Sequence, residues 1–298
     1  MHTKTQTYLK NVIEVLDELR THWPLTLRQT YYQLVAAGLV ENNRNEYQKL
    51  SRVLSKARLS GDVPWTALED RSRTHLNSAG WQDADNFKQY EVEDFLEGYR
   101  RDLLQSQSAR PEIWVEKDAL SRIIHEVARP YCIPVIVARG FSSMSFKNEC
   151  RNRVVRNANN KQRTVILYFG DLDPSGWEML PAMMDTLHRD MEMPEDIVSG
   201  FRYALTPEQV DHYRLPINPD ALKDTDSRAK KYRKRFGSLA VELDALRPDL
   251  LQDIVQKAIE ENLDLSRFKE EQQIEQQEVS RLSVIKQHIE HVLDEVRQ

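Results

Sequence analysis

Three acidic residues follow two short apolar segments, and their carboxylates could bind one hard cation. Glu116 comes directly after "IWV", while Asp171 and Asp173 come at the end of "VILYFG". Each apolar segment predicts a strand, and ligands of open α/β sheets bind at the carboxyl ends of strands. Residues two apart in an extended chain point the same way, so both aspartates can face one ion. A set without histidine or thiolate ligands favours Mg²⁺.

Other interpretations of these acids stay open. An aspartate at a strand-to-helix turn often serves only as a helix cap. The stretch "DLDPSG" also resembles the opening of a calcium loop, although Ala182 takes the twelfth position and a strand precedes it. A strand ending in Asp-x-Asp is also typical of haloacid-dehalogenase-type phosphatases, but the earlier strand before Glu116 does not belong to that plan. The chain contains no P-loop and no GxGxxG, so no nucleotide site is indicated.

A second candidate for chemistry is the tyrosine pair in "TLRQTYYQL". On a helix, Tyr31 falls on the apolar face, whereas Tyr32 is turned about 100° away and lies one turn after Arg28. A phenol has a pKa of about 10, and a neighbouring guanidinium favours the phenolate and can also hold a phosphate. Tyr32 is therefore a candidate nucleophile. The alternative is a surface aromatic ring stacked on Arg28.

Helical periodicity places this pair in the second of three N-terminal helices. The first helix covers 5–20, and the pattern Thr26-x-x-Gln29 is a capping box that predicts a second helix beginning at Leu27. The third helix has a basic face formed by Lys49, Arg52 and Lys56. Three helices and a short extended stretch are typical of a winged helix, in which the later helix enters the major groove of DNA. A small helical module with a solvated basic face has the same outline.

Beyond residue 111, strands and helices alternate, which predicts a parallel sheet. The strand "RTVILYFG" shows no polar alternation, so we expect it to be buried on both faces. Residues 82–110 are polar and mixed, as in a linker. Residues 263–298 predict a C-terminal helix whose apolar stripe packs against its own protein.

Composition limits the class of protein. A chain of 298 residues suggests about two domains, and 40% apolar residues are enough to build cores. No apolar run is long enough for a membrane span, and no N-terminal signal region is visible. Two cysteines, Cys132 and Cys150, without metal-type spacing indicate a reducing cytoplasm.

The net charge of −5 argues against a simple polyanion binder, but basic side chains are clustered locally. If these clusters flank a phosphodiester site, they would line a path for DNA. The candidate DNA-binding residues are Lys49, Arg52, Lys56, Arg139, Arg151, Arg153, Lys230, Lys231 and Arg233.

The order of the motifs resembles that of the topoisomerase VI A subunit and the meiotic double-strand-break transesterases. "VEKDA" followed by "DLDP-G" is similar to the Toprim domain of that family, and "TLRQTYY" is similar to its tyrosine motif. "ELDALRPDLL" (242–251) is similar to a family segment after the Toprim core. The resemblance covers roughly residues 20–265, and the order of the motifs is more specific than any one of them.

The resemblance implies an α/β fold in which a winged-helix domain precedes a Toprim domain with a Rossmann-like parallel sheet. The corresponding ranges are 1–85 for the winged helix, 86–110 for a linker, 111–262 for the Toprim domain and 263–298 for the C-terminal helix.

The family also implies a reaction. The oxygen of Tyr32 would attack a DNA phosphodiester and leave a 5′-phosphotyrosyl link, with Arg28 as the motif arginine. Mg²⁺ would be held by Glu116, Asp171 and Asp173, and Lys117 would contact phosphate. In this family the tyrosine of one subunit works with the acids of the other, so the expected active unit is a homodimer on double-stranded DNA.

This chain departs from the family's usual form. It is shorter before the tyrosine motif, carries no ATPase of its own, and has Ser175-Gly176 after its Asp-x-Asp-Pro. An ATPase could be a separate subunit. The short form resembles stand-alone relatives in prokaryotes and their mobile elements, so we expect a cytoplasmic, nucleoid-associated protein. Two alternatives remain open, namely a Toprim nuclease that hydrolyses DNA with a metal ion and a non-catalytic winged-helix DNA-binding protein.

Overall fold

The computed structural model describes residues 3–69, 80–138, 144–218, 222 and 228–296. The chain divides into two compact units, Met1–Arg73 with Ser108–Asn262 and Thr74–Gln107 with Leu263–Gln298. The described residues form 11 α-helices and one four-stranded parallel sheet, which confirms the α/β class and the predicted parallel sheet. The domain boundaries at 85, 110 and 262 stay predictions.

The N-terminal part consists of three helices, α1 (Thr3–Glu18), α2 (Leu27–Ala36) and α3 (Arg44–Ser60). The predicted capping box is present. The backbone N–H of Gln29 donates to the Thr26 hydroxyl at 3.2 Å, and the backbone N–H of Thr26 donates to the Gln29 side chain at 2.7 Å. Helix α2 packs against α1, α3 and the short helical turn Leu243–Ala245, so it is covered on several sides.

The remaining elements follow in chain order: α4 (Ala84–Asp94), β1 (Ala109–Val115), α5 (Asp118–Ala128), β2 (Val135–Val137), α6 (Met144–Asn159), β3 (Arg163–Phe169), α7 (Pro174–Asp185), β4 (Val198–Ala204), α8 (Pro207–His212), α9 (Ala229–Phe236), α10 (Pro248–Glu260) and α11 (Leu265–Val296).

The strands of the sheet lie in the order β2-β1-β3-β4. The chain therefore moves outward from β1 to β2, and then returns to the other side of β1 with β3. In such sheets the ligand crevice lies where the strand order reverses, here between the carboxyl ends of β1 and β3. In the register of these two strands Val115 pairs with Phe169, so Glu116 and Gly170 leave the sheet side by side.

Strand β3 is buried from Thr164 to Phe169, as its lack of polar alternation predicts. Helices α6 and α7 cover the face that carries Trp114, Ile166 and Tyr168. On the core side, α6 contributes Cys150 and Val154, and α7 contributes Leu180 and Met183. Helix α10 packs against α5 and β4. The sheet is thus covered well enough to hold the loops after β1 and β3 in fixed positions.

The second unit contains α4 and α11. Residues 86–110, which the sequence suggests as a linker, include most of α4. Arg101 pairs with Glu271 at 2.6 Å and with Glu278 at 2.8 Å. The apolar stripe of α11 is exposed rather than packed, with Ile285 and Val292 about half exposed at 49% and 55%. No helix among the described residues, α11 included, is both long and apolar enough to cross a membrane.

Candidate functional site

The segment 241–246 connects the N-terminal helices with the carboxyl ends of the strands. Leu172, just after β3, forms an antiparallel bridge with Val241, with N–O distances of 2.9 and 3.0 Å. The helical turn that follows, Leu243–Ala245, packs on α2. As a result, residues from α2 and from the loops after β1 and β3 converge on the side chains of Glu242 and Asp244.

Lys117 lies at the centre of this convergence. Its ammonium is 2.7 Å from carboxylate oxygens of Asp171 and of Glu242, and 3.0 Å from a carboxylate oxygen of Asp244. Burial works to lower the pKa of Lys117, but the three carboxylates raise it well above its ordinary value. The prediction that Lys117 contacts phosphate stays untested, and in the structure its ammonium is engaged by these three acids.

Glu242 joins the tyrosine helix to the strand ends. It accepts from Lys117 at 2.7 Å and from the Asn218 amide at 2.9 Å, and it forms an ion pair with Arg28. Burial acts to raise the pKa of Glu242, but Lys117 and Arg28 hold it at about 2. The carboxylate is therefore ionised at neutral pH and binds both cations.

Asp244 is fully buried and accepts from Lys117 through Oδ2, while its Oδ1 has no hydrogen-bond partner among the described residues. Sequence reasoning assigned no role to Asp244, Glu242 or Asn218. The sequence shows the segment 242–251 only as a motif similar to one of the family. A possible signal was its two acids at i and i+2, the same spacing as that of the aspartates after β3.

Tyr32 is buried, with only 2% of its surface exposed, and Tyr31 is similarly buried at 4%. The Asn218 amide lies 3.4 Å from the Tyr32 hydroxyl. Burial and the charge of Glu242 raise the pKa of Tyr32 well above its ordinary value, against the opposing effect of Arg28 and Lys117. The expectation that only Tyr31 faces the core is wrong, because α2 is packed on more than one side.

Glu116 sits beside the first turn of α7. Its Oε2 accepts the backbone N–H of Asp171 at 3.0 Å and the Tyr168 hydroxyl at 3.3 Å. Asp173 caps α7, with its Oδ1 accepting the N–H of Gly176 at 2.7 Å. Burial, followed by the charge of Asp173, raises the pKa of Glu116. These two half-buried carboxylates thus repel each other.

Gly176 permits this approach. A Cβ at this position would lie 2.4 Å from the backbone oxygen of Asp171 and 2.9 Å from Oε2 of Glu116. Only a residue without a side chain lets the start of α7 pack this closely on the two strand ends. Glycine at this position of the "DLDP-G" motif therefore has a structural reason.

The carboxylate of Asp171 is directed differently. Its Oδ1 accepts the N–H of Leu243 at 2.8 Å, and its Oδ2 pairs with Lys117 at 2.7 Å. Asp171 and Asp173 lie beyond the end of β3, so the alternation of side chains along a strand no longer sets their directions. Each side chain is oriented by its own hydrogen-bond partner. Accordingly, no group of three or more His, Cys, Asp or Glu among the described residues is arranged to hold a metal ion. Glu116 and Asp173 retain the donor chemistry that suits a hard cation.

Arg202, on β4, fastens the loop after β3. Its guanidinium donates to the carbonyls of Gly170 at 3.1 Å and of Asp171 at 3.2 Å, and also to the carbonyl of Gly176. It lies 4.9 Å from the ring centre of Tyr168. Sequence reasoning missed this residue, because a single arginine in a strand gives no signal of which carbonyls it will meet.

The predicted DNA-binding residues are placed variously. On α3, Lys49, Arg52 and Lys56 are exposed, and Lys49 pairs with Glu46 at 3.1 Å. On α6, Arg151 is half-buried, whereas Arg153 donates to the buried Glu112 at 2.8 Å and stabilises the fold there. Arg139 lies outside the described residues.

The basic helix α9 lies beside α7. Lys231 pairs with Glu178 at 2.9 Å, and the guanidinium carbon of Arg235 lies 5.0 Å from the ring centre of Trp177. Lys230 and Arg233 are exposed, with Arg233 donating to the Leu222 carbonyl at 3.2 Å. Positive charge therefore borders the helix that Asp173 caps.

Comparisons with protein-family models, with curated proteins and with solved structures found no match for this chain. The family resemblance therefore depends on the sequence motifs alone.

Proposed function

We propose that this protein is a Mg²⁺-dependent DNA transesterase of the winged-helix plus Toprim kind, related to the A subunit of topoisomerase VI. It would cleave duplex DNA through a 5′-phosphotyrosyl intermediate formed by Tyr32. One observation carries the proposal. Residues of the tyrosine motif and of the acidic motifs, far apart in sequence, belong to one connected polar network.

Glu242 provides the connection. It binds Arg28 of the tyrosine helix and Lys117 of the loop after β1, while Lys117 reaches Asp171 after β3. Three of these groups, Glu242, Lys117 and Asp171, are buried titratable side chains with shifted pKa values, and such groups are found preferentially at functional sites. Its position at the reversal of strand order is where ligands of such sheets bind.

The proposed chemistry assigns a role to each side chain. The Tyr32 oxygen would form a bond to phosphorus, and the bond from phosphorus to the 3′ oxygen would break, leaving a free 3′ hydroxyl. The charges of Arg28 and Lys117 favour the phenolate, and Arg28 can also hold a phosphate oxygen. Before attack, Tyr32 has to leave Asn218 and the charge of Glu242.

Mg²⁺, when bound, would neutralise charge that develops on the phosphate oxygens. Glu116 and Asp173 would hold it, since the charge of Asp173 acts on Glu116 and both carboxylates have the donor chemistry that suits a hard cation. Asp171 would join them after Lys117 has turned toward the phosphate.

The proposed homodimer follows from the resemblance, in which the tyrosine and the acids come from different subunits. In the single chain Tyr32 instead lies beside Glu242 of its own chain. We therefore expect the contact between Tyr32 and Glu242 to be broken when two copies assemble on DNA.

The test is one incubation of supercoiled DNA with protein and Mg²⁺, stopped with detergent and analysed with and without protease. A transesterase leaves protein on the 5′ ends, so linear DNA shifts only after proteolysis. Tyr32→Phe should abolish the linkage. Tyr31→Phe is the matched control, since the neighbouring tyrosine is equally buried on the same helix; it should retain the linkage.

Metal-dependent hydrolysis of DNA is the second candidate. The burial and raised pKa of Tyr32 favour it, because hydrolysis does not require this hydroxyl. Under hydrolysis, Tyr32→Phe would keep full cleavage and no protein would stay on the DNA. If no Mg²⁺-dependent break appears at all, while DNA binding remains and is unchanged in Asp171→Ala, the chain acts as a DNA-binding module.

A further inference from the structure

A pocket of about 200 Å³ opens next to Tyr32, between α2, the start of α3 and Asn218. Three tyrosine rings form part of its wall. Tyr31 contacts Tyr32 with a ring-centre distance of 5.3 Å and Tyr47 at 5.2 Å, both edge to face. The proposed transesterification gives roles to Tyr32, Arg28 and Glu242, and it leaves the pocket residues at the start of α3 without one.

The polar groups of the pocket are held in place. The Asn42 amide donates to the Ile217 carbonyl at 3.0 Å, and Asn43 caps α3 by accepting from the N–H of Glu46 at 3.0 Å. Arg44 and Arg28 add positive charge, and Glu242, paired with Arg28, adds negative charge. The Nε of Arg28 is buried without a hydrogen-bond partner in the described part of the chain and lies 3.7 Å from a carboxylate oxygen of Asp244.

We infer that this pocket binds a nucleobase. The ring of Tyr47, half-buried at the pocket, suits stacking, and amide and guanidinium groups are the side chains that read the edges of bases. Pockets for drug-sized ligands measure about 300–1,000 Å³, so one of about 200 Å³ suits a single ring system. Resting on the proposed function, the base would belong to an unpaired nucleotide of the DNA strand beside the attacked phosphate.

The test measures binding without cleavage. A duplex with one bulged nucleotide is compared with the same duplex carrying an abasic residue at the bulge, both with EDTA, by fluorescence anisotropy. Stacking of a base on aromatic side chains predicts that the base-bearing duplex binds about tenfold more tightly. The mononucleotides dAMP and dGMP are titrated separately.

Tyr47→Leu, which removes a ring but keeps apolar volume, and Arg44→Ala, at the exposed start of α3, should both bring the ratio close to one. Lys56→Ala, on the outer face of the same helix, should weaken both duplexes equally. Circular dichroism checks that each variant is folded. If Tyr47→Leu does not fold, Arg44→Ala still tests the inference.

Equal binding of the two duplexes by the wild-type protein would overturn the inference. Tight binding of dAMP or dGMP without preference for the base-bearing bulge would also overturn it, by assigning the pocket to a free nucleotide. The two proposals fail separately. A preference for the base without Mg²⁺-dependent breaks leaves the pocket assignment standing, and protein-linked breaks without the preference leave the transesterase standing.

Discussion

At the scale of single residues, Glu242 links the parts of the chain that form the candidate site. Its carboxylate binds cations from two parts of the chain, Arg28 on α2 and Lys117 after β1. The same charge keeps Tyr32 protonated, since it raises the pKa of the phenol in addition to the effect of burial. In the free chain this network therefore opposes formation of the phenolate that the proposed reaction requires.

Glu242→Gln should destabilise the protein by roughly 3 kcal/mol, the lower end for breaking a buried ion pair, because Asp171 and Asp244 still face Lys117. Chemical denaturation measures the change. The surface pair of Arg122 and Glu126 offers a control, since Glu126→Gln should alter stability by less than about 0.5 kcal/mol. Equal effects of both substitutions would contradict the role given to Glu242.

The same carboxylate predicts a pH dependence. Its pKa is about 2 in the folded chain and lies near its ordinary value of 4.5 when the chain is unfolded. Its contribution is therefore complete above pH 4.5 and is lost as the pH falls toward 2. Unfolding free energies of wild type and Glu242→Gln, measured across this window, should converge as the pH is lowered. A constant difference would disprove the assignment.

At the scale of elements, helix α7 begins where the two strand ends meet. Asp173 caps it, Gly176 lets it approach, and Arg202 binds the carbonyls of the preceding loop. Glu116 and Asp173 come together because this turn is packed without a side chain at position 176. The geometry of the acids thus depends on one helix start.

Gly176→Ala should lower stability by about 1–3 kcal/mol, since the added methyl overlaps the backbone oxygen of Asp171 and the carboxylate of Glu116. Mg²⁺-dependent cleavage should fall as well. Gly98→Ala is the control, because nothing lies within 4 Å of a Cβ at Gly98. Thermal unfolding of both variants tests the contrast. A Gly176→Ala variant with unchanged thermal stability would show that the turn can accommodate a methyl group.

At the scale of the whole molecule, the net charge is −5, yet exposed lysine and arginine side chains lie on α3 and α9. A DNA path along these helices would let an acidic protein bind a polyanion, since binding depends on the local potential. Arg153, paired with the buried Glu112, is better explained by fold stability than by DNA contact.

Arg52→Ala and Lys56→Ala should each reduce the slope of log K against log salt by about 0.9, the value expected for one lost phosphate contact. Filter binding at several salt concentrations measures this slope. Lys257→Ala, which removes an exposed lysine on α10, should leave it unchanged. Slopes that do not differ between these variants would exclude α3 from the DNA path.

The sequence alone was enough to predict features that depend on neighbours along the chain. The capping box at Thr26, the parallel strands and the burial of β3 on both faces follow from local spacing and were confirmed. Glu116 lies beside the end of β3 because β1 and β3 are neighbours in the sheet. The hydrophobic periodicity of the sequence restricts the possible strand orders but does not determine which one forms.

Only the tertiary structure decided which side chains share a buried space. Sequence periodicity assumes one buried face per helix, so it could not show that α2 is covered on several sides and that Tyr32 is buried with Tyr31. Nor could it bring Glu242 to Lys117, because the 241–246 segment docks through a bridge to Leu172. Long-range electrostatic pairing depends on distances in space, and those are set by packing of the whole unit.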